Sequence, residues 1–156
     1  MVNKTATTFV NFQKRESEKG KVADKMEQAF VIKLSEKVEL TGTWDRIDET
    51  EQGIIITEYK TSTRTKRQHT MLQLMIYGWA YEQVYGVRPL KVVLESIETG
   101  EKFDYVPNYD DNVKLQTLFF QFANTLATNT FQATPSEVKC SACVYSNICP
   151  SAVLRE

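Results

Sequence analysis

Between Gln28 and Ile47 apolar and polar residues alternate: Phe30, Ile32 and Leu34 fall on one side of the chain, and Ala29, Val31 and Lys33 on the other. Val38 and Leu40 resume the pattern toward Gly42 and Trp44. A period of two marks strands with a face on a core, so two strands are expected around a tight Ser35-Glu36-Lys37 turn. The polar run Glu49 to Gln52, closed by Gly53, marks the next turn. Gly53 to Tyr59, with Ile54, Ile55 and Ile56 in succession, reads as the most deeply buried strand. Three antiparallel strands thus follow one another. From Gln68 to Tyr85 apolar residues recur at helical spacing with almost no charge before Glu82, and Gly86 and Pro89 end the run. A helix this apolar all round must be covered on several sides. Leu90 to Ile97, a Thr99-Gly100 turn and Glu101 to Val106 predict a hairpin. A last helix starts near Asp110 or Asp111, acids that suit a helix N-terminus, with Val113, Leu115, Leu118, Phe119, Phe122 and Leu126 on its expected core face. Residues 5–19 predict a first helix, poor in apolar side chains and closed by Gly20, that packs by one narrow face or on something outside this sequence. The order α-β-β-β-α-β-β-α implies an α/β protein, a mixed sheet flanked by helices.

The chain has 156 residues, the length of one domain, and a domain of that size buries roughly 68–70% of its unfolded surface. One domain over residues 1–156 is expected. No apolar run approaches the ~20 residues of a membrane span, and the opening MVNKTATTFV has no secretory h-region. A soluble protein of the cytoplasm or nucleoid, with no membrane partner, is the expectation. The net charge of −1 leaves nucleic acid open as a partner, because the placement of basic residues matters more than their sum.

Glu58 and Lys60 interrupt the most buried strand. Side chains alternate along a strand, so these two share a face, and the 49–53 hairpin brings Asp45 beside them. An unpaired buried charge costs several kcal/mol, on the order of a domain's net stability, so the acids need a counter-charge. Two readings satisfy that need: a salt bridge from Lys60 at a sheet edge, or a divalent cation. Mg²⁺ is held by one or two carboxylates plus waters and phosphate oxygens, and it polarises phosphate and activates water while a nearby lysine orients that water. Past this strand, KTSTRTKR carries Arg64, Lys66 and Arg67, either a solvated loop or contacts to DNA phosphates. His69 follows as a helix-start residue. Cys140, Cys143 and Cys149 give C-x2-C-x5-C-P within residues 140–150. An odd number of cysteines cannot all pair, which favours iron–sulfur or zinc binding, with ordinary buried thiols the other reading.

Three strings fall in order: Gly42-Thr43-Trp44-Asp45-Arg46-Ile47-Asp48, then Ile54-Ile55-Ile56-Thr57-Glu58-Tyr59-Lys60-Thr61-Ser62, then Gln73-Leu74-Met75-Ile76-Tyr77. Together they resemble the PD-(D/E)XK nuclease superfamily. Within it they are most similar to the RecB-like nuclease domain at the C-terminus of UvrD/Rep-type helicases and in AddB-like proteins, which carries GxxDRxD, (D/E)YKT and QLxxY. The resemblance implies a restriction-endonuclease-like fold and Mg²⁺- or Mn²⁺-dependent DNA hydrolysis, as an exonuclease in repair or recombination. By that likeness Asp45, Glu58 and the backbone carbonyl of Tyr59 hold metal, Lys60 is the catalytic lysine, and Gln73 and Tyr77, four apart on one helix face, assist. By the same likeness Asp48 is structural or supports the metal ligands from behind, since the first acid of GxxDRxD is the one the family uses. The cysteines resemble three ligands of a [4Fe-4S] staple whose fourth cysteine lies far upstream, and this sequence has no fourth. The family's upstream histidine is also missing, so a fragment of a longer helicase-nuclease is expected, with a helicase domain and DNA as partners. The rival expectations are an inactive DNA-docking or protein-interaction module of a helicase, and a zinc-binding adaptor.

Overall fold

The computed structural model describes residues 4–20, 22–61 and 67–153, with backbone alone at 4 and 67–69. The chain falls into two compact units, residues 1–123 and 124–156. The first holds a five-stranded sheet: β1 (Lys25–Lys33), β2 (Glu39–Thr50), β3 (Gly53–Lys60), β4 (Lys91–Ser96) and β5 (Lys102–Tyr105), in spatial order β1-β2-β3-β4-β5. All neighbours are antiparallel except β3 and β4. That parallel pair needs a crossover, which α2 (Arg67–Tyr85) supplies. The pairing explains why Val92, Val93 and Leu94 are buried in succession, since a parallel strand is covered on both faces. The mixed sheet with flanking helices and the element order are as expected.

The core lies between one sheet face and α2, around Trp44, Ile47, Ile56, Leu74 and Val92, all fully buried. Trp44 fixes the helix by donating from Nε1 to the Tyr77 carbonyl at 3.2 Å. The opposite face meets α1 (Lys4–Glu18). Phe12 stands edge-on to Tyr59 with centroids 5.2 Å apart, and Glu16 accepts from Arg46 at 2.6 Å. The narrow packing face expected for α1 is therefore mostly polar. Arg46 also donates to both Asp48 oxygens, at 2.7 and 2.9 Å, and these bonds hold its guanidinium above its ordinary pKa, against the opposing effect of burial.

The third helix, α3 (Tyr109–Thr128), corrects one expectation. Its buried positions are Asn112, Leu115, Phe119 and Ala123, whereas Val113, Leu118, Phe122 and Leu126 are exposed. Steps of three and four residues trace a single stripe. The stripe is set by Phe119 against Trp79, at 4.9 Å between centroids, and by Asn112, which donates to Glu82 of α2 at 2.7 Å. A polar residue thus anchors the stripe where apolar count alone had chosen its neighbour, Val113.

In the second unit α4 (Glu137–Ser141), unforeseen in the sequence, is capped by Ser136, and a single 3₁₀ turn spans Ser146–Ile148. Among the described residues no helix is long and apolar enough to cross a membrane.

Candidate active site

The site forms where β2 and β3 part. Their pairing ends at Arg46–Thr57, and one step further Asp45 stands across from Glu58. With no backbone partner available there, the Asp45 carboxylate accepts from the Tyr59 amide at 2.8 Å. On the other side of β2, the ladder to β1 runs Met26–Arg46 and Gln28–Trp44 but omits Glu27–Asp45. Glu27 has φ of 48°, in the left-handed region, and the register is the same on both sides of the gap. Beside this gap Trp44 and Asp45, adjacent in sequence, both lie toward Tyr77 of α2.

Glu58 is 4% exposed. Its Oε1 accepts from Lys60 Nζ at 2.5 Å and from Gln73 Nε2 at 2.8 Å. The same Gln73 amide lies 3.1 Å from the Tyr77 hydroxyl, so both of its hydrogens are used. Glu58 Oε2 is buried with no hydrogen-bond partner among the described residues. Burial raises the Glu58 carboxyl above its ordinary value, the charge of Asp45 pushes the same way, and Lys60 opposes both. Burial likewise raises the Tyr77 hydroxyl. Tyr59 points to the other sheet face, toward Phe12.

Two facing carboxylates with one orphaned, buried oxygen form a hard-oxygen donor set short of positive charge, and a dication fits it. Among the described residues no group of three or more His, Cys, Asp or Glu side chains is placed to hold a metal. A two-acid set suits Mg²⁺, which retains waters.

A raised carboxylate stabilises the fold below its unfolded pKa, and that contribution is lost as pH rises through the folded value. Metal-free protein with Glu58→Gln is therefore expected to melt higher than wild type near neutral pH, with the difference closing in acid. Thermal melts across that range check it.

Of the other sequence-predicted residues, Arg64 and Lys66 lie outside the described residues, as do the side chains of Arg67 and His69. Cys140, Cys143 and Cys149 are free thiols lining one shallow cavity of 170 Å³ within the second unit. Cys140 Sγ accepts from the Val153 amide at 3.4 Å, and the three thiols do not make a closed four-ligand set. Glu95 was missed. It is 1% exposed and takes Lys19 at 3.0 Å and Lys102 at 3.4 Å. The signal was available, an acid within an apolar strand, as at Glu58.

The chain belongs to the PD-(D/E)XK nuclease superfamily, whose family model matches residues 2–150. Its fold resembles the crystal structure of SSO0001, with a TM-score of 0.54 at 16% identity, covering 91% of this chain and 68% of that one. It also resembles a protein from Eubacterium rectale provisionally named an exonuclease, with a TM-score of 0.57 at 9% identity. That alignment covers 98% of this chain but only 61% of the other. At these identities the likeness is one of fold. No curated protein matches.

Proposed function

We propose that this domain hydrolyses DNA phosphodiesters with Mg²⁺ or Mn²⁺ held by Asp45, Glu58 and the Tyr59 carbonyl. The observation that carries the reading is the unpartnered, buried Oε2 of Glu58 beside Asp45 and Lys60. The bound metal supplies a Lewis acid for the phosphate and an activated water. Asp45 is held in place by the Tyr59 amide, and Gln73 occupies Oε1 of Glu58 so that Oε2 stays presented. Lys60 places its amine at the carboxylates, 2.5 Å from Glu58 Oε1, where it orients the attacking water. Arg64, Lys66 and Arg67 contact DNA phosphates in this reading. Superfamily membership and the name of the Eubacterium rectale neighbour support it.

The finer assignment is to a single RecB-like domain of a helicase-nuclease, an exonuclease of repair or recombination acting with a helicase in the same chain or complex, in the cytoplasm or at the nucleoid. The three sequence blocks around Asp45, Glu58 and Gln73 support that branch. With a fourth thiolate from a longer polypeptide, the three cysteines would complete an iron–sulfur or zinc set.

The test joins two measurements. Mn²⁺ at about a hundred times its Kd stabilises a protein by roughly 2.7 kcal/mol when only the folded form binds, so the melting temperature should rise with the metal while linear DNA is cleaved. Both responses should vanish in Asp45→Asn. Cleavage that persists in that variant, or in excess chelator, refutes the assignment.

A further inference from the structure

Helix α1 packs on the back of the sheet through contacts that border the site. Glu16 accepts from Arg46 at 2.6 Å, and Arg46 follows Asp45 in the chain. Phe12 stands edge-on to Tyr59, which lies between Glu58 and Lys60. Lys19, just past the helix, pairs with Glu16, sets its Nζ 5.8 Å from the centre of the Tyr59 ring and donates to Glu95 at 3.0 Å. Glu95 is the pairing partner of Tyr59 on β4. Arg15 crosses the β4–β5 turn to donate to the Ile97 carbonyl at 2.6 Å, a path open because Gly100 has no Cβ, which would lie 2.9 Å from Arg15 Nε. The Ile97 amide in turn donates to the Lys60 carbonyl at 2.8 Å. Phe9 and Val10 are exposed, so α1 is docked chiefly by polar bonds and one ring.

We propose that Glu16 and Lys19 are positioning residues for the metal site, fixing the Asp45–Glu58 spacing from behind so that α1 docking and divalent-cation binding stabilise each other. The inference rests on the metal reading of that site above. The backbone supports the spacing poorly. The β2–β3 ladder ends at Arg46–Thr57, and beyond it the strands are joined by the bond from the Tyr59 amide to the Asp45 carboxylate. On the other face α1 spans that parting, with Glu16 on β2 and with Phe12 and Lys19 on β3. Metal binding needs both acids ionised, and two such charges side by side favour a wider gap. Docked α1 holds the strands together and a dication removes the repulsion, so each lowers the cost of the other.

Calorimetric titration of the metal-free protein with Mn²⁺ measures the claim. Lys19→Met keeps the aliphatic stem beside Tyr59 and removes the charge, while Lys102, 3.4 Å from Glu95, still pairs that buried acid. Its Kd is expected to be about tenfold weaker than that of wild type, the low end of what residues behind metal ligands contribute, and Glu16→Gln should act alike. Phe119→Leu, in the core on the α2 side of the sheet, lowers stability and should leave the Kd at its wild-type value. By reciprocity, saturating Mn²⁺ should slow hydrogen exchange of the α1 amides in wild type by at least the same factor. Should circular dichroism show one α1 variant unfolded, the other carries the comparison, and the exchange measurement needs neither. A Kd unmoved in the folded variants, an equal loss in Phe119→Leu, or α1 exchange indifferent to Mn²⁺ overturns the proposal and leaves the metal reading standing. No Mn²⁺ uptake by wild type sinks both, whereas uptake and coupling without cleavage of linear DNA sink the nuclease reading alone.

Discussion

Replacing Lys60 with alanine is expected to slow cleavage of linear DNA by about 10²- to 10⁴-fold, the usual contribution of a positioned proton-transfer group. Its Nζ lies 2.5 Å from Glu58 Oε1, and its side chain is 30% exposed, close enough to act at the carboxylates and open enough to meet water. Metal uptake should survive, since Asp45 and Glu58 remain and a repulsive cation has been removed. The melting shift with Mn²⁺ in Lys60→Ala is therefore expected to equal or exceed that of wild type. Lys60→Arg divides charge from proton transfer. Arginine keeps the positive charge but does not deprotonate in a protein, so partial recovery would assign Lys60 an electrostatic role and no recovery a role in moving a proton. Single-turnover cleavage of end-labelled DNA reads all three proteins. A rate within a few-fold of wild type in Lys60→Ala would leave the lysine as an ion pair and remove it from the chemistry.

The convergence of Asp45, Glu58 and Lys60 was legible because it needs only two rules, the alternation of side chains along a strand and the antiparallel return through residues 49–53. The two strands in fact pair from Thr50–Gly53 to Arg46–Thr57. What alternation could not reveal is that it fails at Trp44 and Asp45. The break lies across from Glu27, whose φ is 48°, and a gap in the pairing of two strands carries no local signal in either. The buried Asn112 of α3 was hidden for a related reason. Its partner is Glu82, thirty residues away, and a polar pair in a core looks in sequence like two solvent-facing residues. Gly42 was legible only as part of a motif, whereas its steric role appears once Phe30 is seen to lie across it.

Trp44→Ala should be the most damaging single truncation in the first unit. The side chain is fully buried, and its ring meets Phe30 at 4.4 Å, Tyr81 at 5.5 Å and Tyr85 at 6.1 Å. Removing a buried tryptophan costs about 3–5 kcal/mol, a large part of the ~5–15 kcal/mol that holds a typical domain. Here the loss also reaches the site. Nε1 of Trp44 grips the Tyr77 carbonyl, one turn from Gln73, so the residue that seats α2 also sets where Gln73 meets Glu58. Trp44→Phe keeps most of the ring contacts and gives up that hydrogen bond, worth about 1 kcal/mol in a typical protein. It should therefore lie well above alanine in urea midpoint, with an unchanged slope. Its cleavage rate, measured well below its midpoint, should nevertheless drop below wild type, because helix position rather than global stability limits the geometry at Glu58. A phenylalanine variant as active as wild type would show that α2 is seated by its other contacts, such as Trp79 against Phe119, and that Trp44 contributes burial alone.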